Sequence, residues 1–234
     1  MKLSNETLGV LKNFGNINSG IFLKQGKVVK TVSSHKNILA QATIPDEIPS
    51  DFGIYDLNEF LSVVSLHKDD LSLDFDSKNI VISGRGGRSK IKYRACESTM
   101  ITTPPEKQLQ MPDPEIEFEL TSEDFRWVLD AANVLGSPQI AVQSDGSSIT
   151  LNTIDTTNDS AHTESLTLET SGNGNKFKMV FKTENISKVL PGGYEVKISS
   201  KGISHFKNKK SPVEYWITTE VGSDRKSTRL NSSH

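Results

Sequence analysis

The 234 residues carry 27 Lys and Arg against 29 Asp and Glu, a formal charge of −2, with 34% hydrophobic and 24% charged residues. That length allows one large domain or two small ones, the charge balance excludes uniform basic coating of nucleic acid while leaving a local basic surface open, and no apolar run approaches the roughly 20 residues of a bilayer-spanning helix. The single Cys96 can form neither an internal disulfide nor a Cys-based zinc site, and the opening residues lack the apolar core of a signal peptide, so a reducing cytoplasm is the expected compartment, with no membrane insertion or secretion.

In chain order, Leu3-Ser4-Asn5-Glu6-Thr7-Leu8 places a capping Ser between two apolar residues and opens a helix to about residue 16. Its Leu8, Leu11 and Phe14 recur at helical spacing, while Asn5, Gly9, Lys12 and Asn16 form a separate polar stripe, so Lys12 points away from the core. Short β-rich runs follow at 21–23, 28–32, 38–44 and 52–55. Asp56-Leu57-Asn58-Glu59 then forms a capping box for a second helix through residue 66, with Phe60, Leu61, Val63 and Val64 apolar. Further strands are predicted at 71–75, 79–83 and 89–94. Pro104, Pro105, Pro112 and Pro114 interrupt the segment 102–115, which resists helix and central strand and reads as a connector.

Beyond a strand at 115–120, Leu120-Thr121-Ser122-Glu123-Asp124-Phe125 repeats the order seen at 3–8 and opens a third helix. Phe125, Val128, Leu129 and Ala132 share one of its faces; Ser122, Arg126, Asp130 and Asn133 share another. Strands are predicted at 139–142, 148–152, 164–170 and 176–182, then a short fourth helix over 183–190, ended by Pro191-Gly192-Gly193, then strands at 194–199, 203–206 and 212–220. Residues 224–234 read as an in-frame translation of a sequencing-adapter string and are set aside as an artefact; without them the chain is more acidic. Helix, strands, short helix and strands thus occur twice. Internal duplication of an α+β unit is the economical reading, against coincidence of common capped helices and hairpins. The expected division is 1–103 and 116–223 as two domains, joined by 104–115.

The motifs of catalysis are missing. Gly84-Arg85-Gly86-Gly87-Arg88-Ser89-Lys90 has the wrong order for a phosphate loop and reads as a hairpin turn, with an Arg-Gly-Gly nucleic-acid contact as the competing reading. His35, His67, His162 and His205 show no zinc-protease spacing, and no Gly-x-Ser-x-Gly elbow is present. Asp69-Asp70 reads as a solvated loop rather than a metal pair, and Lys207, Lys209 and Lys210 as a solvated turn. The expectation is a non-enzymatic protein without cofactor or metal, with cations on its helices: Lys12 on the first, Arg126 on the third and Lys188 on the fourth.

A resemblance then enters. Met1-Lys2-Leu3-Ser4, Leu11-Lys12-Asn13-Phe14 with Ile17-Asn18-Ser19-Gly20-Ile21, Ile54-Tyr55-Asp56-Leu57-Asn58 with Phe60-Leu61, and Pro191-Gly192 with Tyr194 resemble the DNA-polymerase sliding clamps of T-even-like tailed bacteriophages, over residues 1–223 in order. The sequence departs from that family at the 84–87 hairpin and at the terminus. The resemblance implies two processivity-fold domains per subunit and a head-to-tail homotrimer closing around double-stranded DNA, with helices lining the hole and antiparallel sheets outside. It implies as partners the replicative DNA polymerase, an ATP-dependent clamp loader and late-transcription factors, in the cytoplasm of an infected bacterium. Lys12 and Lys188 match cations in the family, and Arg126 joins them from its helix face. The resemblance places a subunit interface at Lys90, Ile91, Lys92, Tyr93 and Arg94 against 164–170, including Leu166, Thr167 and Leu168. A partner-peptide pocket would involve Val32, Leu109, Met111, Pro212, Val213 and Trp216, with a core role as the competing reading for Val213 and Trp216. A non-catalytic phage structural or interaction protein of duplicated α+β type is the alternative, and a hydrolase would need a pocket of perturbed titratable groups.

Overall fold

The computed structural model describes residues 1–67, 70–76, 78–107, 110–171 and 174–220. Asp69, Leu109 and the tail at 224–234 lie outside them. The chain divides into two α+β units, Met1–Leu109 with Ser211–Tyr215, and Gln110–Lys210 with Trp216–His234.

The first unit begins with helix α1 (Asn5–Ile17), capped as expected by Ser4, whose Oγ accepts the Thr7 N–H at 3.2 Å. The helix buries Val10, Leu11, Phe14 and Ile17, and it exposes Asn5, Gly9, Lys12 and Asn16. Strands β1 (Ile21–Leu23), β2 (Gly26–Val32), β3 (Ile38–Ile48) and β4 (Phe52–Ile54) follow. β1 pairs with β4, and β2 with β3, both antiparallel. β3 runs past the expected end at 44 because the β2–β3 register shifts between Gly26 and Val28. A bulge interrupts the ladder there and accommodates Pro45, which has no N–H to donate. Helix α2 (Leu57–Ser65) opens on Asp56, whose carboxylate accepts the Glu59 N–H at 3.0 Å. A three-stranded sheet follows in the order β5 (Ser72–Phe75), β6 (Asn79–Gly84), β7 (Ser89–Arg94). Met1 lies beside β5, donating from its ammonium to Leu73 O at 2.5 Å and accepting the Leu73 N–H at 2.7 Å.

The second unit repeats this order with one strand more. β8 (Ile116–Leu120) precedes helix α3 (Ser122–Leu135), whose cap Thr121 accepts the Asp124 N–H at 3.0 Å. Then come β9 (Gln139–Asp145), β10 (Ser148–Ile154), β11 (Ser165–Ser171), β12 (Lys176–Lys182), helix α4 (Thr183–Ile186), β13 (Tyr194–Ser199), β14 (Ile203–Asn208) and β15 (Val213–Thr218). One sheet has the order β11-β10-β9-β12, and in another β13 lies between β8 and β14. Edge-to-face rings build the core: Phe125 on Tyr194 at 5.5 Å, Tyr194 on Phe206 at 6.1 Å and Phe206 on Phe181 at 6.1 Å. Burial pushes the Tyr194 phenol up to about 12, although Asn208 opposes the shift.

α4 ends at residue 186, not 190. From there Lys188 N–H bonds Asn185 O and Val189 N–H bonds Ile186 O, each three residues back, so the chain tightens into turns before Pro191.

The α1 cap depends on a distant side chain. Asp46 Oδ2 accepts from Ser4 N–H at 2.7 Å, Ser4 Oγ at 2.7 Å and Thr7 Oγ1 at 2.6 Å. Partial burial pushes this carboxyl up, but the hydrogen bonds from Thr7 and Ser4 and the charge of Lys27 outweigh that and hold it below its ordinary range. A depressed carboxyl adds stability above its unfolded pKa of about 3.9, and that contribution is lost as the pH falls through the folded value. Asp46→Asn is therefore expected to cost about 1–3 kcal/mol at pH 7. Urea unfolding at neutral pH and at progressively lower pH checks this, since the gap from the parent protein should narrow as the carboxyl becomes protonated.

Candidate functional site

Cations on helix faces come first. Lys12 is exposed on the polar stripe of α1, and Arg126 is exposed on α3 beside Ser122, Asp130 and Asn133, as periodicity predicts. Neither forms an ion pair among the described residues. Acids share the α3 face, at Glu123 and Asp130. Lys188 corrects the expectation, because it sits in the turn after α4 rather than on the helix. Its Nζ lies 3.2 Å from Glu184 Oε1 and its side chain is 25% exposed, so part of its charge is offset locally. α3 also exposes Trp127 and Val134, at 57% and 83%. Both fall outside the stripe of Phe125, Val128, Leu129 and Ala132, which was the available signal.

The two predicted interface segments both lie at sheet borders. β7 pairs with β6 and is the last strand of its sheet; β11 pairs with β10 and is the first of its own. Along β7, Lys90, Lys92 and Arg94 are exposed, while Ile91 and Tyr93 are half-buried. The Tyr93 ring meets Phe60 edge-on at 5.3 Å and its hydroxyl donates to Asp56 O at 3.1 Å. Burial, then the charge of Glu59, pushes its phenol up. On β11, Ser165, Thr167 and Glu169 are exposed, Leu166 is half-buried and Leu168 is buried.

The 84–90 segment is the hairpin turn joining β6 to β7. Arg85, Gly86 and Gly87 all take positive φ, at 56°, 64° and 81°. Asp70 accepts the Gly86 N–H at 2.5 Å, a structural anchor that the sequence did not suggest; its neighbour Asp69 lies outside the described residues. Gly84 is needed for another reason: an added Cβ would lie 2.4 Å from Nδ1 of the buried His67. Of the C-terminal lysines, Lys209 pairs with Glu119 at 2.8 Å, and Lys207 and Lys210 are exposed.

The expected peptide-pocket residues do not share one environment. Val32, Val213 and Trp216 are buried at 4%, 1% and 6%. Trp216 stacks on His205 at 4.8 Å. Pro212 is exposed, Met111 half-buried, and Leu109 lies outside the described residues. Among the described residues, no group of three or more His, Cys, Asp or Glu is placed to hold a metal ion.

Comparison with known proteins bears on both units. Residues 4–103 match the family model of the DNA polymerase processivity factor, and residues 117–221 match that of the gp45 sliding clamp, C terminal. The chain is 36% identical over 226 residues to the sliding clamp of Vibrio phage KVP40, covering 94% of this chain and 100% of that one. It is 36% identical over 228 residues to the sliding clamp of Escherichia phage RB69, covering 95% and 98%. Among solved structures, PCNA from Thermococcus kodakaraensis aligns with a TM-score of 0.66 at 14% identity, over 92% of this chain and 96% of that one. The H. pylori beta clamp aligns at 0.69 and 11% identity, over 94% of this chain and 65% of that one. At those identities the likeness concerns the fold alone.

Gly84→Ala tests the hairpin contact. Forcing a methyl group against His67 is expected to cost about 1–3 kcal/mol. In a double-mutant cycle with His67→Ala, the pair should lose less stability than the two single changes summed, and additive losses would refute the contact.

Proposed function

Because the chain belongs to the phage sliding-clamp family of DNA polymerase processivity factors, we propose that three copies join head to tail into a ring around duplex DNA and tether the replicative polymerase to it. The observation that carries this reading is the unequal treatment of equivalent edges in the repeat. β3 of the first unit receives the start of β15, with Thr43 N–H donating to Pro212 O at 3.0 Å. By element order, β11 is the counterpart of β3, and β7 is the counterpart of β15. Both counterparts are border strands within their own sheets. Pairing β7 of one copy with β11 of the next repeats the β3–β15 contact between chains and closes both borders. The basic row Lys90, Lys92 and Arg94 then meets a strand whose exposed charge is Glu169. Pairing β7 with a second β7 would set two cationic rows side by side.

Such a ring needs no bond-making chemistry. Duplex DNA carries about one negative charge per 1.7 Å of axis, and a few cations per subunit attract it without reading bases. Lys12, Arg126 and Lys188 are the residues we assign to that contact, and the acids beside Arg126 and Lys188 keep it loose enough to slide. Retention then depends on how often the ring opens. An ATP-dependent loader would open it in the bacterial cytoplasm, and the same DNA-tracking ring would serve late transcription.

Sedimentation at micromolar concentration is expected to give three subunits, and a persistent monomer there would overturn the ring. Replacing Lys12, Arg126 and Lys188 by Ala should lower loader-dependent polymerase stimulation several-fold and flatten the salt dependence of DNA retention by about one unit of slope per lost phosphate contact. Retention on circular but not on open linear duplex distinguishes encirclement from ordinary binding.

A further inference from the structure

The repeat exposes a second inequality, inside the first unit. In the second unit β10 is paired on both sides, with β9 and with β11. Its counterpart β2 is paired with β3 alone, because β1, the counterpart of β9, pairs with β4 and leaves β2 at a border. Ser33 N–H donates to Ile38 O, so the alternation of an antiparallel ladder turns the backbone groups of Val28, Lys30 and Val32 outward. Val32 O is taken by Asn18 Nδ2 at 3.0 Å. No described group pairs with the outward N–H and C=O of Val28 and Lys30.

A groove of about 550 Å³ runs along this free edge, lined by Phe22, Val28, Pro104 and Pro105 as its apolar surfaces, with Lys24 and Lys30 among its polar ones. Val28 is 42% exposed. That volume falls in the range of ligand sites. The prolines border the edge without closing it, since proline has no N–H for a ladder. Lys27 is exposed on the same strand, and the one acid in the lining, Glu106, is engaged by Lys24 at 3.0 Å. None of the described residues expected for the partner-peptide pocket lines this groove.

We infer that the β2 edge and its groove bind an extended peptide segment of a partner protein, added as a strand to β2 and presenting both carboxylates and apolar side chains to the groove. The backbone of Val28 and Lys30 supplies the ladder. These two side chains share one face of β2, so on that face apolar groups of the peptide meet Phe22, Val28 and the prolines while carboxylates meet Lys24 and Lys30, and Lys27 takes a carboxylate on the opposite face. Glu106 competes for Lys24 and so restrains binding. This inference uses only the first unit and is independent of ring closure.

The test uses the full chain and a fluorescein-labelled ten-residue peptide of Glu, Val and Leu in which both acidic and apolar residues occur at every-second positions on each face, read by anisotropy. A control peptide has Gln for Glu. The acidic peptide should bind at least about tenfold more tightly than its amide control, as loss of one charge-assisted contact predicts. Glu106→Gln should tighten binding a few-fold, an effect that misfolding cannot produce. Val28→Glu, and Lys30→Pro, which removes an outward N–H while sparing the β2–β3 ladder, should each weaken it about tenfold or more. Absence of binding, equal binding of both peptides, or binding unchanged in the Val28 and Lys30 variants would overturn the inference. So would displacement of the peptide by single-stranded oligothymidylate bound at the same edge. Sedimentation of the same samples reports separately on the trimer.

Discussion

A strand at the border of a sheet leaves alternate N–H and C=O groups without protein partners, and a duplicated α+β unit doubles the number of such borders. The chain meets this constraint differently in each copy. β8 lies along β13, whereas its place beside β5 is taken by a single backbone pair from Met1. β3 receives the first residues of β15, while β7, β11 and β2 remain borders within their sheets. The proposed ring and the proposed peptide contact both follow from that inequality: each supplies a strand where the repeat predicts one.

The electrostatics of the helices suit retention by shape better than retention by affinity. Lys12 and Arg126 are exposed, Arg126 shares its helix face with Glu123 and Asp130, and Lys188 is held by Glu184. In the proposed ring, so few cations per subunit would make phosphate attraction weak and sensitive to salt. The denser cationic row lies on β7, at Lys90, Lys92 and Arg94. Charged side chains on a border strand oppose unwanted pairing with a like strand, so the same residues that favour an uncharged or acidic neighbour disfavour a second β7.

Polar groups buried along the chain hold the local geometry in place. Asn13, deep in α1, accepts from the Tyr215 hydroxyl at 2.8 Å, and Asp46 collects the hydrogen bonds at the start of the same helix. In the second unit Asn208 is buried against Gly192, where an added Cβ would lie 2.6 Å from its side-chain nitrogen. This accounts for the Pro191-Gly192 and Tyr194 motif as packing: the glycine makes room for Asn208, and Tyr194 fills the core above Phe125.

Local signals in the sequence determined a good deal. Ser4, Asp56 and Thr121 each cap the helix that their spacing announces, the polar stripes expose Lys12 and Arg126, and the 84–90 segment turns as a hairpin. The repeated order of elements was also readable, because capping and periodicity depend on neighbours within a few residues. What only the tertiary structure decided are the partners that arrive from elsewhere in the chain. Asp46 reaches Ser4 across 42 residues, Pro45 is tolerated because a bulge opens in β3, and Asp70 anchors a turn that its own segment does not contain. Val32, Val213 and Trp216 are buried, at a degree the sequence left open, since it offered Val213 and Trp216 both a pocket role and a core role. Periodicity reports which face a residue occupies, but the segment that covers that face, or leaves β2 bare, is set by long-range strand pairing that no short window of sequence contains.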